Sequence, residues 1–124
     1  MITLSFCLHR KPGLTREAFQ TYWRETHAPL VKRHAGALGI VRYEQLHALS
    51  DAVSDDIRDS RGAPGGYDGI ALIGFASFEA MAAAATNPGF ADGARALLED
   101  ERRFIDLARS PLWFNAPNGV VIDG

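Results

Sequence analysis

Apolar and polar residues alternate along several short stretches of the chain, which is the pattern of half-buried β-strands. The clearest stretch covers residues 2–9, where Ile2, Leu4, Phe6 and Leu8 alternate with Thr3, Ser5, Cys7 and His9. The pattern predicts further strands at 38–46 and 68–75, and a last strand formed by 112–114 together with 120–122. The chain is therefore expected to build a four-stranded sheet.

Between the strands, apolar residues recur every three or four positions, which is the spacing of one helix face. A first helix is predicted after the N-cap residue Thr15, with a kink or restart where Pro29 removes a backbone donor. A second helix is predicted after Ser77 and is interrupted at 87–89. The longest helix is predicted over residues 90–109.

The resulting order of elements, βαββαβ, is that of the split-βαβ or ferredoxin-like fold. We therefore predict an α+β protein with an antiparallel sheet and two main helices on one face of it. Residues 49–66 lack a periodic apolar stripe and are predicted to form an exposed, mobile loop, with a short helical turn possible at 51–58. Because several strands are apolar on both faces, the second sheet face must also be covered, and we expect a homodimer.

The composition is that of one globular domain spanning residues 1–124, with a net charge of −2. It has no basic excess to neutralise phosphates, so no nucleic-acid partner is expected. No stretch approaches the roughly 20 apolar residues that cross a bilayer, so we expect no membrane partner and a cytoplasmic location. Cys7 is the only cysteine, which excludes an intrachain disulfide, and we predict that it fills space in the core.

Two ionisable residues stand where the helical spacing predicts apolar ones. On the first helix the stripe of Phe19 and Trp23 continues to His27, and on the long helix Leu97 is followed by Glu101. A buried charge must meet a partner, shift its pKa or line a wet pocket. We predict that His27 and Glu101 meet between the helices and the sheet, with Glu101 raising the pKa of His27. The alternative is that both have purely structural roles.

The second strand presents Tyr43, Gln45 and His47 on one face, which either lines a cavity or meets a partner subunit. His27 and His34 are seven positions apart, which is not the four-residue spacing of a helical metal site, so no metal is expected. The sequence also contains no phosphate-loop or nucleotide-binding motif, and we expect no cofactor.

Several segments resemble the EthD domain family, and together they cover nearly the whole chain. The most specific is Tyr22-Trp23-x-x-x-His27 within residues 19–30, and 10–15, 67–71 and 101–106 also resemble the family. The resemblance implies a dimeric α/β barrel, in which two ferredoxin-like protomers join their sheets and each holds a pocket between sheet and helices.

Known members suggest what such a pocket does. Bacterial relatives are associated with ether degradation, and fungal relatives act as decarboxylases or dehydratases on aromatic polyketides. This chain departs from the family pattern at Leu72 and Gly74, where relatives often carry an acidic residue and an aromatic one, and at Ala76, where they often carry Asp. A catalytic role for that strand is therefore not transferred.

We predict a pocket for an apolar or aromatic small molecule and cofactor-independent proton transfer, such as decarboxylation, dehydration or oxygenation. His27 is the candidate general acid or base, Glu101 orients it, and His47 is the alternate base. The candidate substrate-binding residues are Tyr22, Trp23, Tyr43, Tyr67, Asp68 and Phe104. The alternative is a non-catalytic ligand-binding or accessory protein of a degradation pathway, which needs the pocket but no acid or base.

Overall fold

A computed structural model describes residues 1–124 and contains one four-stranded antiparallel sheet. Its strands are β1 (Ile2–Leu8), β2 (Ile40–His47), β3 (Gly69–Phe75) and β4 (Leu112–Asn115). They lie in the order β2-β3-β1-β4, so β3 pairs with both β1 and β2 while β4 pairs with β1. This arrangement confirms the predicted ferredoxin-like fold of the α+β class.

The helices connect these strands, and three of the five begin at a side-chain cap. They are α1 (Arg16–Tyr22), α2 (Ala28–Leu38), α3 (Ala52–Ser60), α4 (Phe78–Ala84) and α5 (Phe90–Phe104). The side chains of Thr15 and Ser77 each accept a hydrogen bond from a backbone N–H in the first turn of the following helix, as predicted. None of these helices is both long and apolar enough to cross a bilayer.

Pro29 does not break the first helical region. Instead α1 continues through a π-helical turn, Trp23–His27, directly into α2. Pro29 lies in the first turn of α2, where a missing backbone donor disrupts least. The predicted kink is therefore an extra-wide turn, and it places both Trp23 and His27 in the buried interior. Gly39, in the left-handed conformation at φ 73°, ends α2.

The segment predicted as a loop contains α3, so that prediction is wrong over Ala52–Ser60. The helix begins because the carboxylate of Asp51 accepts a hydrogen bond from the backbone N–H of Ser54 at 2.7 Å. None of the α3 residues is buried. An exposed helix with so little apolar surface has no periodic stripe by which the sequence would reveal it.

Two further boundaries also differ from the prediction, both near the end of the chain. Helix α5 ends at Phe104 rather than 109, because Ile105 adopts an extended conformation and bridges to Arg10 beyond the end of β1. Residues 120–122 are exposed and belong to no strand, so β4 alone supplies the last strand.

The two faces of the sheet differ in what covers them. The face toward the helices holds the core, formed by Phe6, Leu8, Phe19, Trp23, Ala71, Phe104 and Ile105. On the opposite face the register aligns Ser5, Leu72 and Glu44 across three strands. Leu46 and Trp113 are more than two-fifths exposed on that face, so it presents apolar surface to solvent. Cys7 is buried, as expected of a small packing residue.

Asp68 fixes the start of β3 against the end of β1. Its carboxylate accepts hydrogen bonds from the backbone N–H and the guanidinium of Arg10, at 2.8 and 2.7 Å, and from Arg16 at 3.1 Å. Burial alone would raise the pKa of Asp68, but these hydrogen bonds and the charge of Arg10 outweigh it and hold the pKa below its ordinary value. Asp68 therefore has a structural partner for each carboxylate oxygen.

We expect Asp68→Ala to destabilise the fold by about 3 kcal/mol, because it leaves Arg10 and Arg16 without their shared partner in a partly buried position. Since the pKa of Asp68 is lowered on folding, its contribution exists above its unfolded-state pKa and is lost as the pH falls through the folded value. Urea denaturation at neutral and acidic pH measures both effects. The control is Asp56→Asn, an exposed carboxylate, and equal losses in the two variants would contradict the assignment.

Candidate active site

A small cavity of about 30 Å³ lies between the sheet and the helices. That volume accommodates roughly one water molecule. Its walls are mostly apolar, and the ionisable side chains that line it are His27, Glu101 and Tyr43. The two residues singled out by the helical stripes therefore meet in one cavity.

The predicted substrate-binding residues divide into two groups. Trp23 and Tyr43 line the cavity, whereas Tyr22, Tyr67, Asp68 and Phe104 do not. Phe104 is fully buried and packs behind the cavity wall, with its ring centroid 5.0 Å from those of both Tyr22 and His27. Tyr67 packs instead against His9 near the start of β3. Of the six predicted substrate-binding residues, two therefore line the cavity.

The partner of His27 is Asp100, not Glu101. The Nδ1 atom of His27 lies 2.7 Å from the Oδ2 atom of Asp100, and the hydroxyl of Tyr22 donates to the other carboxylate oxygen at 2.5 Å. Asp100 and His27 are both about 95% buried. Since a carboxylate only accepts, Nδ1 carries the proton of a neutral His27 and Nε2 is its basic nitrogen.

The environment keeps His27 uncharged. Burial lowers the pKa of His27 below its ordinary value of 6.5, and the hydrogen bond and charge of Asp100 oppose this without reversing it. The Nε2 atom makes no hydrogen bond within the chain, and no fully buried side-chain nitrogen lacks a partner, so Nε2 remains accessible. A neutral imidazole whose free nitrogen is accessible beside a cavity can take up a proton.

The pKa of Glu101 shifts upward, whereas that of His27 shifts downward. Burial, together with the nearby charge of Asp100, raises the pKa of Glu101 from 4.5 to about 7. No hydrogen bond contributes to this shift. Glu101 therefore carries a proton on a substantial fraction of molecules near neutrality, and this proton faces the cavity.

These findings correct the predicted pairing. We expected Glu101 to raise the pKa of His27, but Glu101 makes no bond to His27 and the pKa values move in the reverse directions. The residue that sequence reasoning missed is Asp100. Gly93, Asp100 and Phe104 are the buried residues of α5 and recur at helical spacing, so Asp100 lies on a second buried stripe that the apolar residues of the sequence do not mark.

The polar face of β2 lies inside the protomer. Gln45 donates from its amide to the backbone oxygen of Trp23 and to the hydroxyl of Tyr43, both at 3.0 Å. His47 bonds to the amide oxygen of Gln45 and stacks on the indole of Trp23 with centroids 4.5 Å apart. Of the two alternatives for this face, the structure favours the interior one. His47 itself does not line the cavity, and burial with the nearby charge of Arg24 lowers its pKa.

The three positions that depart from the family pattern lie outside the cavity. The register places Leu72 and Gly74 on the open face of the sheet, and Ala76 follows β3 as an exposed residue. None of the three lines the cavity. No group of three or more His, Cys, Asp or Glu side chains lies close enough together to hold a metal ion.

Two curated proteins resemble this chain over most of its length. A conidial pigment biosynthesis dehydratase EthD from Metarhizium robertsii is 29% identical, covering 90% of this chain and 79% of the relative. The dehydratase ustZ from Ustilaginoidea virens is 28% identical, covering 100% of this chain and 89% of the relative. Both relatives therefore carry the name of the same reaction type.

A solved structure and the family profile point to the same family as these two relatives. The crystal structure of an EthD family protein from Bacillus halodurans superimposes with a TM-score of 0.62 at 15% identity, covering 94% of this chain and 99% of that one. The sequence profile of the EthD domain matches residues 11–108, which include α1, the π-helical turn, α5 and all the residues that line the cavity apart from two on β1. The chain belongs to the EthD domain family.

Proposed function

We propose that this protein is a small, cofactor-independent dehydratase that moves protons on an apolar or aromatic substrate. The observation that carries the proposal is the pairing, in one cavity, of a neutral His27 with a Glu101 that keeps its proton near neutrality. Two groups whose pKa values are driven in opposite directions suit a base and an acid of one reaction. The names of both curated relatives favour dehydration over decarboxylation and oxygenation.

The body of the substrate has a place beside the cavity. An open groove of about 340 Å³, here called the α5 groove, is bounded by the sheet, α4 and α5, and nine of its ten lining residues are hydrophobic. It shares Ile40, Ile73, Leu97 and Glu101 with the cavity. We propose that an apolar ring of the substrate lies in this groove. The cavity alone holds only a water molecule, so the reacting atoms of the substrate enter it by displacing the four shared side chains.

The chemistry suits a β-hydroxy ketone. Nε2 of His27 takes the proton from the carbon next to the carbonyl, and the electrons of that C–H bond form an enolate. The enolate then expels the β-hydroxyl, which takes the proton of Glu101 and leaves as water. Transfer of the proton from His27 to the Glu101 carboxylate restores both groups, so the net change is the loss of one water without a cofactor.

This mechanism predicts a bell-shaped dependence of kcat/KM on pH. Below the lowered pKa of His27 the base is protonated, and above about 7 Glu101 has lost its proton, so the rate falls on both sides. Initial rates with cyclic β-hydroxy ketones that dehydrate to aromatic products, followed by ultraviolet absorbance from about pH 5 to 9, measure the profile. A rate that stays constant across pH 7 to 9 would contradict the assignment of Glu101 as the acid.

Glu101→Gln keeps the shape of the protonated side chain but supplies no proton. We expect kcat to fall by about 100-fold or more and the loss of rate above neutral pH to disappear from the remaining activity. The variant should also melt at a higher temperature than the wild type at about pH 8, because the raised pKa means that the folded state disfavours ionised Glu101.

The control for this variant is Glu99→Gln, an exposed carboxylate on the same helix. It should change neither the rate nor the dependence of the melting temperature on pH. If the wild type binds the cyclic β-hydroxy ketones without turning them over, and Glu101→Gln binds them equally, the non-catalytic ligand-binding alternative replaces the enzyme.

We further propose that the protein works as a homodimer joined through the open face of the sheet. Apolar Leu46 and Trp113 remain exposed there, and the same face carries Leu72 at its centre. Covering such a face removes apolar surface from water without obstructing the α5 groove, which lies on the other side.

Leu72→Asp is expected to convert the dimer into a monomer, because it would place an unpaired charge in the middle of the joined sheets. Sedimentation at micromolar concentration measures the change in mass. Val53→Asp, which alters an exposed apolar residue on α3, should leave the dimer intact. A wild-type protein that sediments as a monomer would overturn this proposal while leaving the acid–base assignment untouched.

A further inference from the structure

The hydroxyl of Tyr43 accepts two hydrogen bonds inside the protein. The indole Nε1–H of Trp23 donates to it at 3.1 Å, and the amide Nε2–H of Gln45 donates to it at 3.0 Å. A phenolic oxygen offers two acceptor positions and one proton to donate. Both acceptor positions are therefore filled by groups that cannot take the Tyr43 proton in return.

The orientation of the Gln45 amide is fixed by its other partners. Its nitrogen also donates to the backbone oxygen of Trp23 at 3.0 Å, and a carbonyl oxygen can only accept. Its oxygen faces the Nε2 atom of His47 at 2.8 Å, which donates to it. A flipped amide would set its oxygen against the backbone oxygen of Trp23, so Gln45 presents an N–H, and not an acceptor, to Tyr43.

The proton of Tyr43 is left without an acceptor in the protein. Tyr43 lines the cavity together with His27 and Glu101. The charge of Glu101 contributes to raising the pKa of Tyr43, after burial as the main cause, which agrees with the closeness of the two groups. The raised pKa means that the hydroxyl keeps its proton throughout the pH range in which the proposed base and acid work.

We infer that Tyr43 is a third catalytic residue, whose O–H donates to the oxygen on which negative charge develops during the reaction. This inference rests on the proposed function, and it assigns the carbonyl end of the substrate to Tyr43. When His27 removes the proton next to the carbonyl, the electron pair moves onto the carbonyl oxygen as an enolate. The Tyr43 O–H stabilises that oxygen without giving up its proton, and the charge returns to carbon as the hydroxyl leaves.

Trp23 and Gln45 are positioning residues in this arrangement. By filling both acceptor positions of the Tyr43 oxygen they restrict the direction of its proton, so little reorganisation is needed when charge develops. His47 acts indirectly, because its hydrogen bond holds the amide of Gln45, which in turn holds the hydroxyl of Tyr43. This gives His47, the alternate base of the sequence analysis, a supporting part without contact to the cavity.

Tyr43→Phe tests the inference directly, since it removes the hydroxyl and keeps the ring. We expect kcat to fall by about 100-fold with a much smaller change in KM, and both limbs of the pH profile to remain, because His27 and Glu101 are untouched. Gln45→Glu is the second variant. It retains the Tyr43 hydroxyl but offers it a carboxylate, so the proton turns away from the cavity and kcat falls comparably.

A binding measurement separates this inference from the dehydratase proposal. In Glu101→Gln protein, which has no charge at that position to repel an anion, 4-nitrophenolate serves as a stable oxyanion probe. Adding Tyr43→Phe should weaken its binding by about tenfold or more and shift the absorption band of the bound probe. Adding Glu44→Gln, which changes the next residue of β2 on the opposite face, should alter neither.

The outcomes are distinct. If no β-hydroxy ketone reacts but Tyr43→Phe weakens phenolate binding, the dehydratase proposal fails and the donor role of Tyr43 stands. If Tyr43→Phe lowers only the melting temperature, leaving kcat and phenolate affinity as in the parent protein, Tyr43 is structural and the inference is overturned. Wild-type kcat in a folded Gln45→Glu variant would equally overturn it, since its hydroxyl proton would have lost its direction.

Discussion

The site depends on the hydrogen bonds that the buried carboxylate of Asp100 accepts. A charge in that position needs partners, and it finds them in the hydroxyl of Tyr22 and the Nδ1–H of His27. The guanidinium of Arg103 lies 3.6 Å from the carboxylate but is largely exposed, so water weakens its attraction to Asp100. Because Tyr22 ends α1 and His27 ends the π-helical turn, one carboxylate ties α5 to the whole first helical region.

The same carboxylate contributes to the raised pKa of Glu101. Asp100 accepts from Tyr22 and His27, and the next residue along the helix lines the cavity. The charge of Asp100 then adds to burial in raising the pKa of Glu101. Satisfying one carboxylate thus helps to keep its neighbour protonated. A single buried group that itself does not line the cavity thus holds Nδ1 of His27 and adds to the burial that raises the pKa of Glu101.

The sequence predicted as much of this site as one helical stripe can reveal. His27 and Glu101 each interrupt a predicted apolar stripe. The predicted stripe of α5 runs from Leu97 and Leu98 through Glu101 to Phe104 and Ile105, and Asp100 lies at its edge. Successive helix positions are about 100° apart, so Asp100 faces the helices while Glu101 faces the sheet. Only a model of both packing surfaces distinguishes the two. Helix α3 was missed for a related reason, since none of its residues is buried and its cap, Asp51, is the main local signal.

Trp23, a predicted substrate-binding residue, also holds other residues of the site in place. Its indole lies so close to Gly69 that a Cβ atom there would collide with the ring, and His47 stacks on it. The ring is thereby held in one orientation, which aims its N–H at Tyr43, while its backbone oxygen holds Gln45. The same π-helical turn places His27 against Asp100, so it orients His27 and the hydroxyl of Tyr43 together. Packing at Gly69 therefore contributes to the geometry of the proposed site, although the glycine itself lies outside the cavity.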